Sequence, residues 1–209
     1  MQSTVQNVQP VAEVGDEAVR FAAREVRKLQ DALAELAAPG YISAMTEAAA
    51  AVVRCIQSGG KVLFCGNGGS AADAQHLAAE LVGRQNYDRP PAPGIALSVD
   101  TSVLTAISND YGYDDVFARQ VMAIGREGDV LVGISTSGRS KNVIEALLTA
   151  QKAGISTVAF TGRDPRDMSN ADFVLAMPAD ETPKIQELQL VAGHIIFGLV
   201  ERALFPLET

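Results

Sequence analysis

Two cysteines and two histidines are all that the 209 residues contain. Cys55 and Cys65 fit neither a disulfide framework nor a metal-binding cysteine pair, and Cys65 reads as a buried strand residue. Basic side chains are also short: 17 Lys and Arg against 25 Asp and Glu leave a net charge of −8. That balance argues against the clustered cationic surface which a nucleic-acid backbone requires. No apolar run reaches the roughly 18 residues of a membrane span. Met1 to Pro10 has neither the basic nor the apolar stretch of a secretory leader. Together these absences predict a soluble, cytoplasmic protein that engages neither nucleic acid nor membrane. The length suits one domain with a sizeable core, and with so few histidines, both His76 and His194 become candidates for chemistry.

What is present is an alternation of strand and helix patterns. Residues 1–15 are polar and without periodicity and are expected to form a flexible tail. From Asp16, apolar residues recur at helical spacing through Leu29, Leu33 and Leu36 until Pro39-Gly40, which is expected to stop the helix. A second helix is predicted from about Ser43 to Ser58, closed by Gly59-Gly60. This helical hairpin must pack its apolar face somewhere, and subunit contact is the expectation. Five short apolar runs follow: Lys61–Cys65, Gly94–Ser98, Asp129–Ile134, Ile155–Phe160 and Phe173–Met177. The helices predicted between and after them cover 101–109, 115–125, 141–153 and 183–204, the last with Pro183 in its first turn. Such alternation predicts an α/β fold: a five-stranded parallel sheet with helices on both faces, flavodoxin-like or Rossmann-like, within one domain over residues 16–209. Ligands of these sheets sit at the carboxyl ends of the strands.

Two loops leave strands at that edge. Gly66-Asn67-Gly68-Gly69-Ser70 follows the first strand and opens an Ala-rich helix, with Ser70 expected as its N-cap. Backbone N–H groups at such a helix start attract phosphate. Ser135-Thr136-Ser137-Gly138-Arg139-Ser140 follows the third strand and carries four hydroxyls in six residues. The first loop alone also matches a variant dinucleotide fingerprint, with Asp100 as a possible ribose-binding acid. The hydroxyl-rich second loop instead suits a terminal phosphate monoester, although serines in turns serve as caps too. On the helix behind the first loop, His76 and Glu80 are four apart and share a face. His194 lies among Leu190, Val191, Ile195, Ile196 and Phe197 of the last helix, a setting that also suits a core histidine.

The strings GNGGSAADAQHLAAELVGR, AISNDYGYDDVFARQV, GDVLVGISTSGRSKNVIEAL, TPKIQE and GH together resemble the phosphoheptose isomerases of the SIS (sugar isomerase) family, over residues 18 to the C-terminus. The resemblance implies conversion of sedoheptulose 7-phosphate to D-glycero-D-manno-heptose 7-phosphate, the step that opens nucleotide-heptose routes to surface glycans such as lipopolysaccharide. It implies a homotetramer with active sites built from more than one subunit, and one zinc ion per subunit. By position, Ser70, Ser135, Thr136, Ser137 and Ser140, with Gly68 and Gly69, would hold the sugar phosphate. Asn67, Asp110, Glu80 and Gln186 would contact the sugar; His76, Glu80, Gln186 and His194 would bind zinc; Glu80 and His194 would be the acid/base pair. Three positions depart from the family pattern: Arg139 where Asn is usual, Gln189 where His is usual, and Pro183 where some members carry Asp.

Geometry adds a condition to the implied ligand set. Eight residues of helix separate Gln186 from His194, about 12 Å of rise, whereas zinc bonds are about 2.0–2.2 Å. If both bind one ion, one of them comes from a neighbouring subunit. Two other readings stay open at this stage: a non-catalytic SIS protein that binds phosphosugars or proteins, of which one relative binds the bacterial replication initiator, and an isomerase of another sugar phosphate. The presence of His76, Glu80 and His194 together favours an enzyme over the first. The hydroxyl loops read only phosphate and leave the second open.

Overall fold

The computed structural model describes residues 15–207; the tail expected over residues 1–15 lies, apart from Gly15, outside them. Helix α1 (Asp16–Leu36) is followed by α2 (Pro39–Gln57). Pro39 does not stop one helix four residues ahead of the next; it opens α2. Its ring supplies a helical φ and its missing N–H is one that a first turn leaves unpaired anyway. Gly59 and Gly60 end α2 as expected, their amides bonding back to the Ile56 and Cys55 carbonyls at 3.0 and 2.9 Å.

Strands β1 (Val62–Gly66), β2 (Gly94–Ala96), β3 (Val130–Ile134), β4 (Ser156–Thr161) and β5 (Phe173–Ala176) form one sheet in the order β2-β1-β3-β4-β5. Every pairing is parallel; β1 lies beside β3 over Val62↔Val130 to Gly66↔Ile134 and beside β2 over Val62↔Gly94 to Phe64↔Ala96. This is the flavodoxin-like order, and its reversal falls between β1 and β3. Helices α3 (Gly69–Val82), α4 (Thr101–Asp110), α5 (Ala118–Ile124), α6 (Lys141–Lys152) and α7 (Thr182–Leu204) complete the chain. The helix expected over 115–125 is split: Tyr113–Asp115 make one 3₁₀ turn and α5 starts only at Ala118.

Successive strand residues point to opposite faces. Val62 and Phe64 therefore join the core shared with α1, α2, α3 and α7, where the Phe64 and Phe197 rings meet at 5.4 Å. Leu63 and Cys65 join the other, with Val116, Val121, Val143 and Leu147. Cys65 is buried as expected, and burial pushes its thiol up to about 12. No single described helix is long and apolar enough to cross a membrane.

Candidate active site

The loops after β1 and β3, the two expected to hold phosphate, flank the point where strand order reverses. The cap of α3 is Gly68, not Ser70. Gly68 has φ 56° and ψ −121°, a backbone conformation that a side chain would strain. The helix consequently begins at Gly69, one residue before its first hydroxyl, and Ser70 is buried inside the first turn. Only Ala71 and Ala72 bond back there, both to the Gly68 carbonyl at 3.1 and 3.3 Å. The Gly69 and Ser70 amides have no backbone acceptor among the described residues, which suits an anion.

In the second loop the hydroxyls converge. Ser135 Oγ lies 2.8 Å from Ser140 Oγ and 3.5 Å from Ser137 Oγ, and the Arg139 amide donates to Ser137 Oγ at 3.2 Å. Ser140 occupies the N-cap of α6 without a side-chain cap bond, so its hydroxyl is not consumed by the ordinary capping role. The Thr136 carbonyl takes the Gly162 amide, and Thr136 and Ser137 both line an adjoining crevice of about 230 Å³ with Arg139, Arg163 and Arg166. Asp100 is also committed elsewhere, as the N-cap of α4 accepting the Val103 amide at 3.0 Å, which removes the basis for a ribose-binding acid.

Helices α3 and α7 lie side by side and bring both histidines together. His76 Nε2 is 2.8 Å from His194 Nε2 and 3.4 Å from Glu80 Oε1, and the two rings cross at 74°. Across 118 residues of chain, one nitrogen from each histidine and one carboxylate oxygen lie within 4.8 Å of one another. Ligands of a tetrahedral zinc stand about 3.3–3.6 Å apart. Two imidazole nitrogens and a carboxylate are a donor set that suits such an ion, and the two nitrogens, at hydrogen-bond distance here, would have to part by about 0.5 Å to hold it. Gly193 permits the approach, since a Cβ there would fall 2.6 Å from a Leu77 methyl. One turn before His76, burial pushes the Asp73 carboxyl up from its ordinary value, against the opposing attraction of His76.

Gln186 is not in this cluster. Its side-chain amide packs against Gly69, where any side chain would collide with it, at the start of α3. Asp110 ends α4 and is exposed, its carboxylate taking the Asn109 amide at 2.8 Å. Asn67 is held by residues that the sequence reading did not single out: Asn142 on α6 and Tyr113 on the 3₁₀ turn. Arg89 was missed as well. It donates to the Glu80, Leu81 and Gly83 carbonyls at the end of α3 and pairs with Glu201 of α7 at 3.1 Å. An Arg in a charged, proline-rich connection gives no sign of burial, and its partner Glu201 lies too far along the chain to be read from spacing.

Comparison with known proteins places the chain in a family. Residues 23–162 match the SIS domain family. A phosphoheptose isomerase of Sulfurimonas denitrificans is 57% identical over 146 residues, 69% of this chain and 75% of that protein. One of Burkholderia pseudomallei is 48% identical over 191 residues, 87% of this chain and 97% of that protein. The structure of phosphoheptose isomerase from Neisseria gonorrhoeae superposes with a TM-score of 0.77 at 42% identity, covering 88% of this chain and 97% of that one.

Proposed function

The chain belongs to the SIS domain family, among its phosphoheptose isomerases, and from that premise we propose that it interconverts sedoheptulose 7-phosphate and D-glycero-D-manno-heptose 7-phosphate. The observation that carries this reading is the convergence of His76, Glu80 and His194 beside a phosphate cradle at the switch point. A binding-only SIS protein needs the cradle but not the trio.

The reaction moves a proton between C1 and C2 of the sugar through an enediol, with a base at carbon and an acid at oxygen. The Ser135, Ser137 and Ser140 hydroxyls and the first amides of α3 hold the phosphate. That anchors the far end of the chain and presents C1 and C2 to α3 and α7. Glu80, on α3, takes the proton from C1 of the ketose and, after exchange with solvent, delivers a proton to C2. His194 serves the oxygens, protonating one as the other loses its proton. His76, Glu80 and His194 would hold a zinc ion, which when bound polarises the carbonyl and stabilises negative charge on the enediol oxygens.

Further parts of the proposal rest on the resemblance and on packing. The enzyme is a homotetramer in the cytoplasm, supplying heptose phosphate for nucleotide-heptose and lipopolysaccharide synthesis. Gln186 stands apart from the trio within one chain, which supports completion of the metal shell by Gln186 of the partner subunit. The test of the activity is an NMR assay with sedoheptulose 7-phosphate in D2O, with and without added zinc. Appearance of the aldoheptose with deuterium at C2 is the expected result. A folded, tetrameric protein that turns nothing over in either condition would sink the heptose assignment in favour of a binding protein or another sugar phosphate.

A further inference from the structure

Asn67 lies in the loop after β1 and reaches the first turn of α6, and its amide is locked by a chain of hydrogen bonds whose direction can be worked out. The Val143 backbone N–H donates to a side-chain atom of Asn142 at 3.0 Å. A backbone amide can only donate, so that atom is the oxygen, and the orientation of the buried Asn142 amide is set. The same oxygen takes Asn67 Nδ2 at 2.8 Å, while Asn142 Nδ2 donates to Asn67 Oδ1 at 2.9 Å. Rotating the Asn67 amide by half a turn would oppose nitrogen to nitrogen and oxygen to oxygen. The Tyr113 hydroxyl then donates to Asn67 Oδ1 at 3.1 Å. Both lone pairs of the Asn67 oxygen are occupied, and one N–H remains without a partner among the described residues.

We infer that Asn142 and Tyr113 are positioning residues that fix the polarity of Asn67, so that it offers the bound sugar phosphate a hydrogen-bond donor and never an acceptor. Asn67 therefore contacts an oxygen acting as acceptor, whether hydroxyl, carbonyl or enediolate. The same bonds tie three elements to the cleft across 75 and 46 residues of sequence: the loop after β1, the first turn of α6 and the turn after α4. The inference rests on the isomerase reading above.

The test is a double-mutant cycle read in both turnover and calorimetric binding of sedoheptulose 7-phosphate. Asn142→Ala lowers kcat/KM by about 30-fold and Tyr113→Phe by about threefold, the scale of one misdirected and one lost hydrogen bond. Asn67→Asp, which keeps the shape but removes the donor, loses at least as much as Asn142→Ala. In an Asn67→Ala background both effects fall to within about twofold, because a positioning residue has nothing left to position. A purely structural Asn142 would cost the same with or without Asn67, and that additivity overturns the inference. If Asn142→Ala does not fold, Tyr113→Phe decides alone, since Tyr113 is exposed and loses only its hydroxyl. Wild-type turnover with no loss in either variant refutes the positioning role and leaves the isomerase standing. Wild-type protein that neither binds nor turns over the substrate ends both.

Discussion

Glu80 is mostly buried at 17% side-chain exposure, while His76, one turn earlier, is 45% exposed. The carboxylate is thus shielded from bulk water yet open to the cleft, a placement suited to carbon-acid chemistry, where water would compete for the base. Glu80→Gln keeps the volume and the hydrogen-bonding reach but cannot accept the proton. Its kcat falls by about 10²–10⁴-fold with KM changed far less, the range for losing a general base. Steady-state rates on the folded variant decide this, and a kcat within tenfold of wild type would remove Glu80 from the proton transfer. At this scale the candidate residues that the structure brings together were largely legible: the histidines are scarce and the hydroxyls and the carboxylate are patterned, so they stand out. Asn142 and Tyr113 were not, because an ordinary asparagine in a helix start becomes informative only when its partner, far off in the chain, is known. Ser70 was misread as a cap for a related reason. Its type suits the role, but the positive φ of Gly68 had already started the helix.

Helices α3 and α7 carry the whole trio, so what holds them in register governs the site. Arg89 joins them: its guanidinium closes the end of α3 and pairs with Glu201, the two side chains only 3% and 1% exposed. Gln85 reinforces the joint, its amide nitrogen donating to the His194 carbonyl at 2.8 Å. Burial alone would push the Glu201 carboxyl up. The Gln85 and Asn86 amides, the Asn86 side chain and Arg89 outweigh it and hold Glu201 below its ordinary value of 4.5. A carboxyl lowered in the folded state adds stability above its unfolded value, and that stability is lost as pH falls through the lowered native value. Unfolding free energy should therefore be flat with respect to this group above about pH 5 and decline below it. Glu201→Gln abolishes that part of the decline and leaves Arg89 buried without a counter-charge, a cost of about 3–5 kcal/mol. Urea unfolding at pH 7 and pH 4 measures both; a loss under 1 kcal/mol at pH 7 would mean that water reaches Arg89. The connection over residues 83–93 reads in sequence as proline and charge, and nothing in it announces a clamp between helices.

The parallel sheet was legible in five apolar runs alternating with helices, because strands buried on both faces lose the polar alternation of an exposed sheet. Its order was not, since the same alternation suits either doubly wound arrangement; pairing of β1 with both β2 and β3 settles it. Beyond the sheet, α1 is the element that the single chain leaves incomplete. Its second half packs through Ala32 and Leu36, but Val19 and Val26 are 62% and 59% exposed, with Ala22 and Ala23 between them in one shallow trough. Spacings of three and four residues place these on one face, the face that an amphipathic helix turns toward a partner. If that partner is a second copy, Val19→Glu with Val26→Glu should split the assembly, since burying each valine contributes about 1.5 kcal/mol or more and the pair shifts dissociation roughly hundredfold. Light scattering after gel filtration should show the smaller mass with the circular dichroism of wild type. If a neighbouring Gln186 finishes the metal shell as proposed, the same protein should also bind zinc more weakly. Unchanged mass would place the contact elsewhere on the molecule. Smaller mass with undiminished zinc affinity would show that His76, Glu80 and His194 suffice within one chain.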